Sequence, residues 1–597
     1  MALMNVWPVN AAYLARNARK LIRQLRSQPL HRAIRIAILG GSTSQELALF
    51  LEILLLERGF DPQFWHSDYG RYWEDGVLGN EELDSFAPDL IYIHTGSQNI
   101  RSWPEFRASE ADAEDAAATE IARFAQIWDS LQSRSQAIIL QNNFEMPDTR
   151  ILGNYDAVHP SGRVRFTESL NAMLAEETRQ RPYLVLNDVH YLSARIGLDN
   201  WYDLDRWFSY KLPITPQASA ELAFNLSALI SARYGLSKKL LVLDLDNTLW
   251  GGVIGDDGPD AIIIGRETPR AEAQTNFQEY IKRLKERGVV LAVASKNEDT
   301  IAREGFAHPD SVLKADDFSS FKANWEPKHE NILNIAHELS LGLDSFVFAD
   351  DNPAERSLVA AQLPSVAVPE IGNDAATYPR ILDRNQYFEA FSLSAEDLSR
   401  SAQYAGNAKR NELQAKFSDY SEFLASLDMS AEAGPFIPTY LERIAQLTGK
   451  TNQFNLTTKR YSLAEIESIA CSPSYVTRYI RLRDRFGDNG VISVAIGRLE
   501  STTLHVDLWL MSCRVLKRDV ELLMLDQLVA AAHNAGARAL RGYFFRTPKN
   551  KMVSRLYESL GFTFASGTED RSEWTLSLES YRPRKAHISL AEPSGNE

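Results

Sequence analysis

Carboxylates placed just past a buried strand stand out in this chain. In Lys239-Leu-Leu-Val-Leu-Asp-Leu-Asp-Asn-Thr-Leu-Trp-Gly-Gly252, four apolar residues precede Asp244, Asp246 and Thr248, and a Gly-Gly break follows. The apolar run reads as a buried strand. In open α/β sheets the carboxyl ends of such strands open onto the ligand crevice. Two carboxylates two residues apart contribute little to packing there. They suit ligation of a hard cation, and a nucleophile beside an acid/base partner.

The same arrangement recurs downstream. A helix expected over residues 274–287 leads to a strand at 289–294 that ends in Ser295-Lys296-Asn297. Trp325-Glu-Pro-Lys328 comes next and opens a helix from about residue 329. A strand at 345–349 then ends in Asp350-Asp351-Asn-Pro-Ala-Glu355. Strand ends thus present acid, hydroxyl and acid in turn, with a lysine at a helix start.

This order resembles the haloacid-dehalogenase (HAD) phosphatase superfamily. Its Asp-x-Asp-x-Thr motif matches Asp244, Asp246 and Thr248, its strand-end hydroxyl matches Ser295, and its acidic pair matches Asp350 and Asp351. Lys328 matches its lysine, with Lys322 as competitor. The resemblance implies Asp244 as nucleophile and Asp246 as acid/base. It implies Ser295 and Lys328 on the phosphoryl oxygens, with Thr248 placed among the phosphate-binding residues and positioning the loop. It implies Mg²⁺ on Asp244, the backbone carbonyl of Asp246, and Asp350/Asp351, with Asp350 the more important of the pair. The gaps from Asp244 to Ser295 and from Ser295 to Lys328 have no room for a cap domain. Residues 251–266 suffice for a small hairpin flap only. An open site suits a large substrate, or one covered by a neighbouring domain.

Upstream, to about residue 236, strand and helix signals alternate. Strands are expected at 35–39, 90–95, 137–141 and 183–187, and a helix at 45–58, which argues a parallel sheet covered on both faces. Ser42 after a Gly-Gly turn, Gly96 with Asn99, and Asp156-Ala-Val-His159 resemble the layout of SGNH hydrolases. Two features depart from it. A helix and a strand follow the Asp-His pair, and the block around Asn99 is one residue longer than usual. Ser42 reads equally as a helix cap and His159 as a loop histidine. A docking or scaffolding domain is therefore favoured over an esterase at Ser42, Asn99 and His159. The aromatic stretch from Trp201 to Lys211 reads as interface core.

Residues 391–597 carry helix, strand, two helices, three strands (475–484, 490–499, 503–512), a helix at 517–535, a strand at 539–545, a helix at 551–559 and a last strand. That order resembles the GNAT acyltransferase fold, whose Arg/Gln-x-x-Gly-x-Gly/Ala loop binds the coenzyme A pyrophosphate through backbone N–H groups. Here the loop reads Arg514-Val-Leu-Lys517-Arg518-Asp519 and both glycines are missing, which argues against coenzyme A. Cys513 at this loop is a candidate thiol, though a lone cysteine is more often a small buried residue.

The fold class is thus α/β in three domains. Residues 1–236 form an SGNH/flavodoxin-like parallel sheet, 237–390 a HAD Rossmann-like core without a large cap, and 391–597 a GNAT-like α+β domain. The whole combination resembles the FkbH-like proteins. The motifs carrying this are Asp244-Leu-Asp-Asn-Thr-Leu-Trp-Gly-Gly-Val-Ile-Gly-Asp-Asp-Gly258, Ser295-Lys-Asn297, Phe348-Ala-Asp-Asp-Asn-Pro-Ala-Glu-Arg356, Thr451-Asn-Gln-Phe-Asn-Leu-Thr-Thr458, Arg485-Phe-Gly-Asp-Asn-Gly490 and Met511-Ser-Cys-Arg514. The resemblance implies a phosphatase/glyceryltransferase that dephosphorylates a bisphosphoglycerate-type, three-carbon donor and loads the glyceryl unit onto a phosphopantetheinylated acyl carrier protein for polyketide-type biosynthesis. Lys517, Arg518, Lys549 and Lys551 are a candidate basic docking patch. The alternatives are a phosphatase of another phosphorylated metabolite or sugar, and a non-catalytic scaffold.

Composition sets the outer bounds. The formal net charge of −15 argues against a nucleic-acid or anionic-membrane surface. Two cysteines, Cys471 and Cys513, cannot build a disulfide framework. The basic N-terminal stretch lacks the apolar core and cleavage site of a signal peptide. The apolar run 47–56 is too short to span a bilayer. A cytoplasmic protein is expected.

Overall fold

The computed structural model describes residues 7–28, 32–414, 416–451, 453–547 and 550–591, with the side chains of ten residues in 395–412 and at 513 left out. The chain divides into two compact units, Met1–Ser231 and Ala232–Glu597. Among the described residues no helix is long and apolar enough to cross a membrane.

The first unit is a five-stranded parallel sheet. Its strands are β1 (Arg32–Gly40), β2 (Phe60–His66), β3 (Leu90–His94), β4 (Ile138–Asn142) and β5 (Leu184–Asn187), in the order β2-β1-β3-β4-β5. The sequence analysis omits β2 because Pro62 interrupts it. A proline cannot donate to a ladder, so such a strand belongs at an edge, and β2 is the edge. The basic N-terminal helix, Ala11–Arg26, buries Leu14, Leu21 and Leu25, and Arg26 pairs with Glu52. The aromatic stretch is not all core. Trp201 and Tyr202 are buried, whereas Phe208 and Tyr210 are exposed.

The second unit opens with a four-stranded parallel sheet: β6 (Leu240–Leu243), β7 (Val290–Ser295), β8 (Ser320–Ala323) and β9 (Phe346–Ala349), in the order β8-β7-β6-β9. Successive side chains on a strand face opposite ways. Leu241 and Leu243 therefore pack with Phe277 and Ile281 of the helix Pro269–Glu286. Leu240 and Val242 pack with Ile332 and Ile335 of the helix Lys328–Leu339. Burial on both faces is what a continuous apolar run requires. β8, only four residues long, with Ser320 and Ala323 buried and Phe321 and Lys322 partly buried, carries no period and is absent from the sequence reading.

The rest of this unit is an eight-stranded mixed sheet. It comprises β10 (Met429–Gly434), β11 (Tyr475–Asp484), β12 (Gly487–Glu500), β13 (Thr503–Met511), β14 (Ala539–Phe545), β15 (Thr563–Gly567), β16 (Arg571–Ser577) and β17 (Ile588–Leu590). β13 and β14 pair in parallel only from Thr503 to Val506 and then part. The gap is filled by the chain itself. Leu456 N–H donates to the Trp509 carbonyl (3.1 Å), Met511 N–H to the Phe454 carbonyl (3.0 Å) and Phe545 N–H to the Leu456 carbonyl (2.8 Å). At the loop before the helix Val520–Asn534, Lys517 and Asp519 adopt φ of 62° and 60° in place of the missing glycines. Asp519 accepts from His587 Nδ1 at 2.7 Å. Arg518 leaves the proposed basic patch, since it is buried and donates to Asn407 (3.0 Å) and Asp484 (3.4 Å). Lys517 and Lys551 are exposed, and Lys549 lies outside the described residues.

The helix Ala395–Gln414 connects the two sheets of this unit. Asp397 pairs with Arg400 and accepts from Lys450 Nζ (2.7 Å) and Ser394 Oγ (2.9 Å). Gly288, at φ 97°, admits this helix, because a Cβ there would stand 1.8 Å from the Asp397 carbonyl oxygen. Burial opposes ionisation of Asp397, but Arg400, Lys450 and Ser394 outweigh it and hold the carboxyl down at about 2. Its contribution to stability is present above the unfolded pKa of about 4 and is lost as pH falls through about 2. Asp397→Asn should therefore cost about 2 kcal/mol in urea unfolding at neutral pH, with the deficit shrinking as pH drops below about 4. A deficit equally large at both ends of that range would contradict this account.

Candidate active site

Three adjacent strands of the four-stranded parallel sheet of the second unit, β7, β6 and β9, deliver the site. Asp244 follows β6, Ser295 ends β7, Asp350 and Asp351 follow β9, and Lys328 starts the helix beyond β8. β6 lies between β7 and β9, so all of these converge at one end of the sheet.

Lys328 holds the centre. Its buried Nζ donates to Asp350 Oδ2 at 2.6 Å and lies 2.9 Å from Asp244 Oδ1. Burial pulls the lysine down, but Asp244 and Asp350 outweigh it and leave it above its ordinary value. Burial and the nearby Asp244 charge push Asp350 up to about 6 despite Lys328, and push Asp351 up as well. Lys322 is elsewhere, 2.7 Å from Glu338, so Lys328 alone of the two reaches the carboxylates.

Oxygen atoms of Asp244, Asp350 and Asp351 all lie within 4.8 Å of one another. Three carboxylates against one ammonium leave surplus negative charge in a buried place, and an all-oxygen donor set fits a hard divalent cation. The Asp246 carboxylate is not in this cluster. Its Oδ1 accepts from Trp250 Nε1 (2.9 Å) and Ile254 N–H (3.1 Å), and its Oδ2 from Asn297 Nδ2 (2.8 Å). The backbone carbonyl of Asp246 is the ligand atom that the resemblance implies, and these bonds turn its carboxylate elsewhere. Burial raises the Asp246 pKa against these three donors, which favours the protonated acid. Asn247, at φ 56°, lets the chain turn behind it.

Thr248 lies between the first loop and the fourth. It is fully buried, accepts from Asp351 N–H (3.1 Å) and donates to Asp351 Oδ1 (3.3 Å), which ties the first loop to the fourth. Ser295 is buried and accepts from Asn297 Nδ2 at 3.2 Å. Asn297, Trp250 and Arg356 are functional neighbours that the sequence analysis leaves without a role. Arg356 Nη1 donates to the carbonyls of both Asp350 and Asp351 at 2.7 Å. In the sequence Asn297 is marked by its place two residues past a strand end and by the Ser295-Lys-Asn297 motif, with no role attached. The flap is small, with Gly251 and Ile263 exchanging backbone hydrogen bonds (2.9 and 2.8 Å) around the short helix Ile254–Asp257.

In the first unit the hydrolase layout assembles only in part. Asn99 Nδ2 donates to the Gly41 carbonyl (3.0 Å), beside buried Ser42, and Asn99 Oδ1 accepts from Gly96 N–H (3.0 Å). His159 goes elsewhere: its Nδ1 accepts from Ser161 N–H (3.2 Å) and its ring lies against Tyr155 and Phe106. Asp156 is buried and accepts from Val164 N–H at 2.8 Å. With Nδ1 accepting from Ser161, and Asp156 taken up by the Val164 N–H, no acid among the described residues orients that ring as the Asp-His pair of a hydrolase would. The buried carboxylate at this end of the sheet is Glu145, which burial pushes up and which accepts from Ser97 N–H (3.1 Å) and Oγ (3.0 Å). Cys471 is free and exposed, and the side chain of Cys513 lies outside the described residues.

These contacts give a graded expectation for turnover of an aryl phosphate. Lys328→Ala should lower kcat by about a hundredfold or more, and Lys322→Ala should leave it within about twofold. Asn297→Ala should lower kcat by about tenfold with little change in KM, because it frees Asp246 without removing it. Equal losses at Lys322 and Lys328 would show that this geometry does not govern the reaction.

Comparison with known proteins places the chain. The family described as FkbH, N-terminal domain, matches residues 35–227. The crystal structure of the N-terminal part of the protein BF1531 from Bacteroides fragilis, containing a phosphatase domain complexed with Mg, is similar at 30% identity and a TM-score of 0.58, covering 63% of this chain and 99% of that one. The ribosomal-protein-S18-alanine N-acetyltransferase of Escherichia coli aligns at 16% identity and a TM-score of 0.20, over 25% of this chain and 94% of its own. No curated protein matches the chain. With a HAD-type phosphatase site at the centre of its second unit, the chain belongs to the FkbH-like family.

Proposed function

We propose that this HAD-type phosphatase is Mg²⁺-dependent, acts on a bisphosphoglycerate-type, three-carbon donor, and delivers the glyceryl unit to a phosphopantetheinylated acyl carrier protein. The observation that carries the phosphatase chemistry is Lys328 held between Asp244 and Asp350 in a cluster of three carboxylates. Asp244, Asp350 and Asp351 would hold the cation. When bound, it would offset the carboxylates and polarise the phosphoryl group.

The chain's own residues perform the rest. An Asp244 carboxylate oxygen attacks phosphorus, and the bond from phosphorus to the leaving oxygen breaks. Lys328 and Ser295 stabilise the charge spread over the phosphoryl oxygens. Asp246, with Oδ1 and Oδ2 fixed by Trp250, Ile254 and Asn297, gives its proton to the leaving oxygen. It then takes a proton from the water that hydrolyses the aspartyl-phosphate, and Asp244 is regenerated. The phosphate lost this way is the donor's ester phosphate. The thioester forms when a thiol attacks the carbonyl carbon of the donor's acyl phosphate, and the acyl C–O bond breaks to release the second phosphate.

The acceptor is argued from access and family. The flap is small, and Trp325, three residues before Lys328, is 77% exposed. An exposed tryptophan beside an open site suits contact with a large partner. Membership of the FkbH-like family supports the glyceryl donor and the carrier.

The test is to incubate the protein with Mg²⁺, bisphosphoglycerate and a phosphopantetheinylated carrier protein, and to record the intact mass of the carrier. A glyceryl adduct that disappears with Asp244→Asn is the expected result. Cys513→Ala should abolish the adduct and spare phosphate release if the acyl unit rests on that thiol. Phosphate release with an unmodified carrier would replace this reading with a phosphatase of another metabolite. Neither product, with no aryl-phosphate turnover, would leave a scaffold.

A further inference from the structure

At one edge of the eight-stranded sheet a serine, a histidine and an aspartate stand in line. β17 is the edge strand and pairs with β10, with Ile588 opposite Met429, so the residue before it, His587, is fixed in place. Asp519 caps the helix Val520–Asn534, and Ser421 lies in the first turn of the helix Tyr420–Ser426. His587 Nδ1 is 2.7 Å from Asp519 Oδ2, and His587 Nε2 is 2.8 Å from Ser421 Oγ. Three elements far apart in the chain thus meet at the two nitrogens of one imidazole.

The proton positions follow from the partners. An ionised carboxylate only accepts, so His587 Nδ1 carries a proton. In the neutral ring Nε2 is then the acceptor, and the Ser421 hydroxyl donates to it. This is the orientation in which an acid-held histidine takes the proton of a serine nucleophile. It is the reverse of His159, whose Nδ1 accepts from Ser161. The frame around the three residues is closed on each side. His587 N–H also donates to Asp519 Oδ2 (3.2 Å). Tyr420 OH donates to the Lys517 carbonyl (2.6 Å), which fastens the helix of Ser421 to the loop of Asp519. Ser589 Oγ donates to the Met429 carbonyl (3.1 Å) and Ala591 N–H to the Ala431 carbonyl (2.9 Å), which fasten β17. Asp519 holds φ 60°, where glycine would sit without strain, and its carboxylate is spent on His587. The acid and the ring are largely shielded, at 19% and 25% side-chain exposure, whereas Ser421 is exposed. A reactant therefore meets the hydroxyl first.

We propose that Ser421, His587 and Asp519 form a second catalytic site, a serine nucleophile that cleaves an acyl ester or thioester. Ser421 Oγ attacks the acyl carbonyl carbon while its proton passes to His587 Nε2. The bond from that carbon to the leaving oxygen or sulfur breaks, and the alcohol or thiol departs with the proton. Water then gives a proton to Nε2 and attacks the seryl ester. The bond from the carbonyl carbon to Oγ breaks, the acid leaves, and Ser421 takes the proton back. Asp519 stays ionised and holds the ring throughout. No step uses the carboxylates around Lys328, so this activity stands apart from the phosphatase.

The test is to treat the full-length protein with an alkyl fluorophosphonate, which phosphonylates activated serines, and to map the adduct by peptide mass spectrometry. One adduct on Ser421 is expected, absent in Ser421→Ala and formed about a hundredfold or more slowly in His587→Ala. No adduct, an adduct on another serine alone, or labelling of Ser421 at an unchanged rate in His587→Ala would overturn the proposal, since a hydroxyl that merely anchors the chain has no need of the imidazole to react. If His587→Ala loses its native circular-dichroism spectrum, the unaltered protein decides the matter in concentrated urea. Labelling of Ser421 that vanishes on unfolding supports an activated serine, and labelling that persists there refutes it.

Discussion

One charge arrangement constrains the second unit. Asp244, Asp350 and Asp351 are brought to one point by strands buried on both faces, and Lys328 is the cation that meets two of them. Like charges so close repel strongly when water is excluded. Every connection around them works against that repulsion. Thr248 fastens Asp351, Arg356 draws the carbonyls of both acids, and the Asn352 N–H reaches Asp350 Oδ1 at 2.8 Å. The apolar strands beneath serve to hold these groups together, and phosphate chemistry draws on the resulting field.

Asp246 lives under the opposite arrangement. It stands two residues from Asp244 yet turns its carboxylate away, toward an indole N–H, a backbone N–H and an amide. Two acids of one motif therefore sit in two environments. One faces the Lys328 ammonium, and burial raises the pKa of the other. This division suits a nucleophile and a proton donor working on one bond.

How much of this was legible depended on where the signal resides. The β6 run, the acids after β6 and β9, and Ser295 at the end of β7 were readable, because buried strands are continuous apolar runs and the chemistry follows them directly. Asn297 was visible as the end of the Ser295-Lys-Asn297 motif, but without a role. Its role arises from a contact between two loops that are distant in sequence. Thr248 belonged to the right motif, but its hydroxyl is used by Asp351 rather than held toward a ligand. Proline hid β2 and brevity hid β8. In the first unit Ser42, Asn99 and the Asp156/His159 pair resembled a hydrolase layout, which ranked below a docking domain. The loop that carries His159 turns its Nδ1 onto Ser161 instead, a choice made by local backbone geometry that spacing does not report.

The segment from Phe454 to Leu456 lies between β13 and β14, yet it precedes β11 in the chain. Adjacent strands of this sheet therefore cannot finish pairing until a stretch from well upstream has been threaded beside them. Contacts so far apart in sequence slow folding and make it all-or-none, because the closure entropy must be spent before they form. A fragment beginning at β11 would carry two parted strands with unsatisfied N–H and C=O groups facing each other across an empty slot. The C-terminal half is thus divisible on paper into modules that the backbone itself has stitched shut.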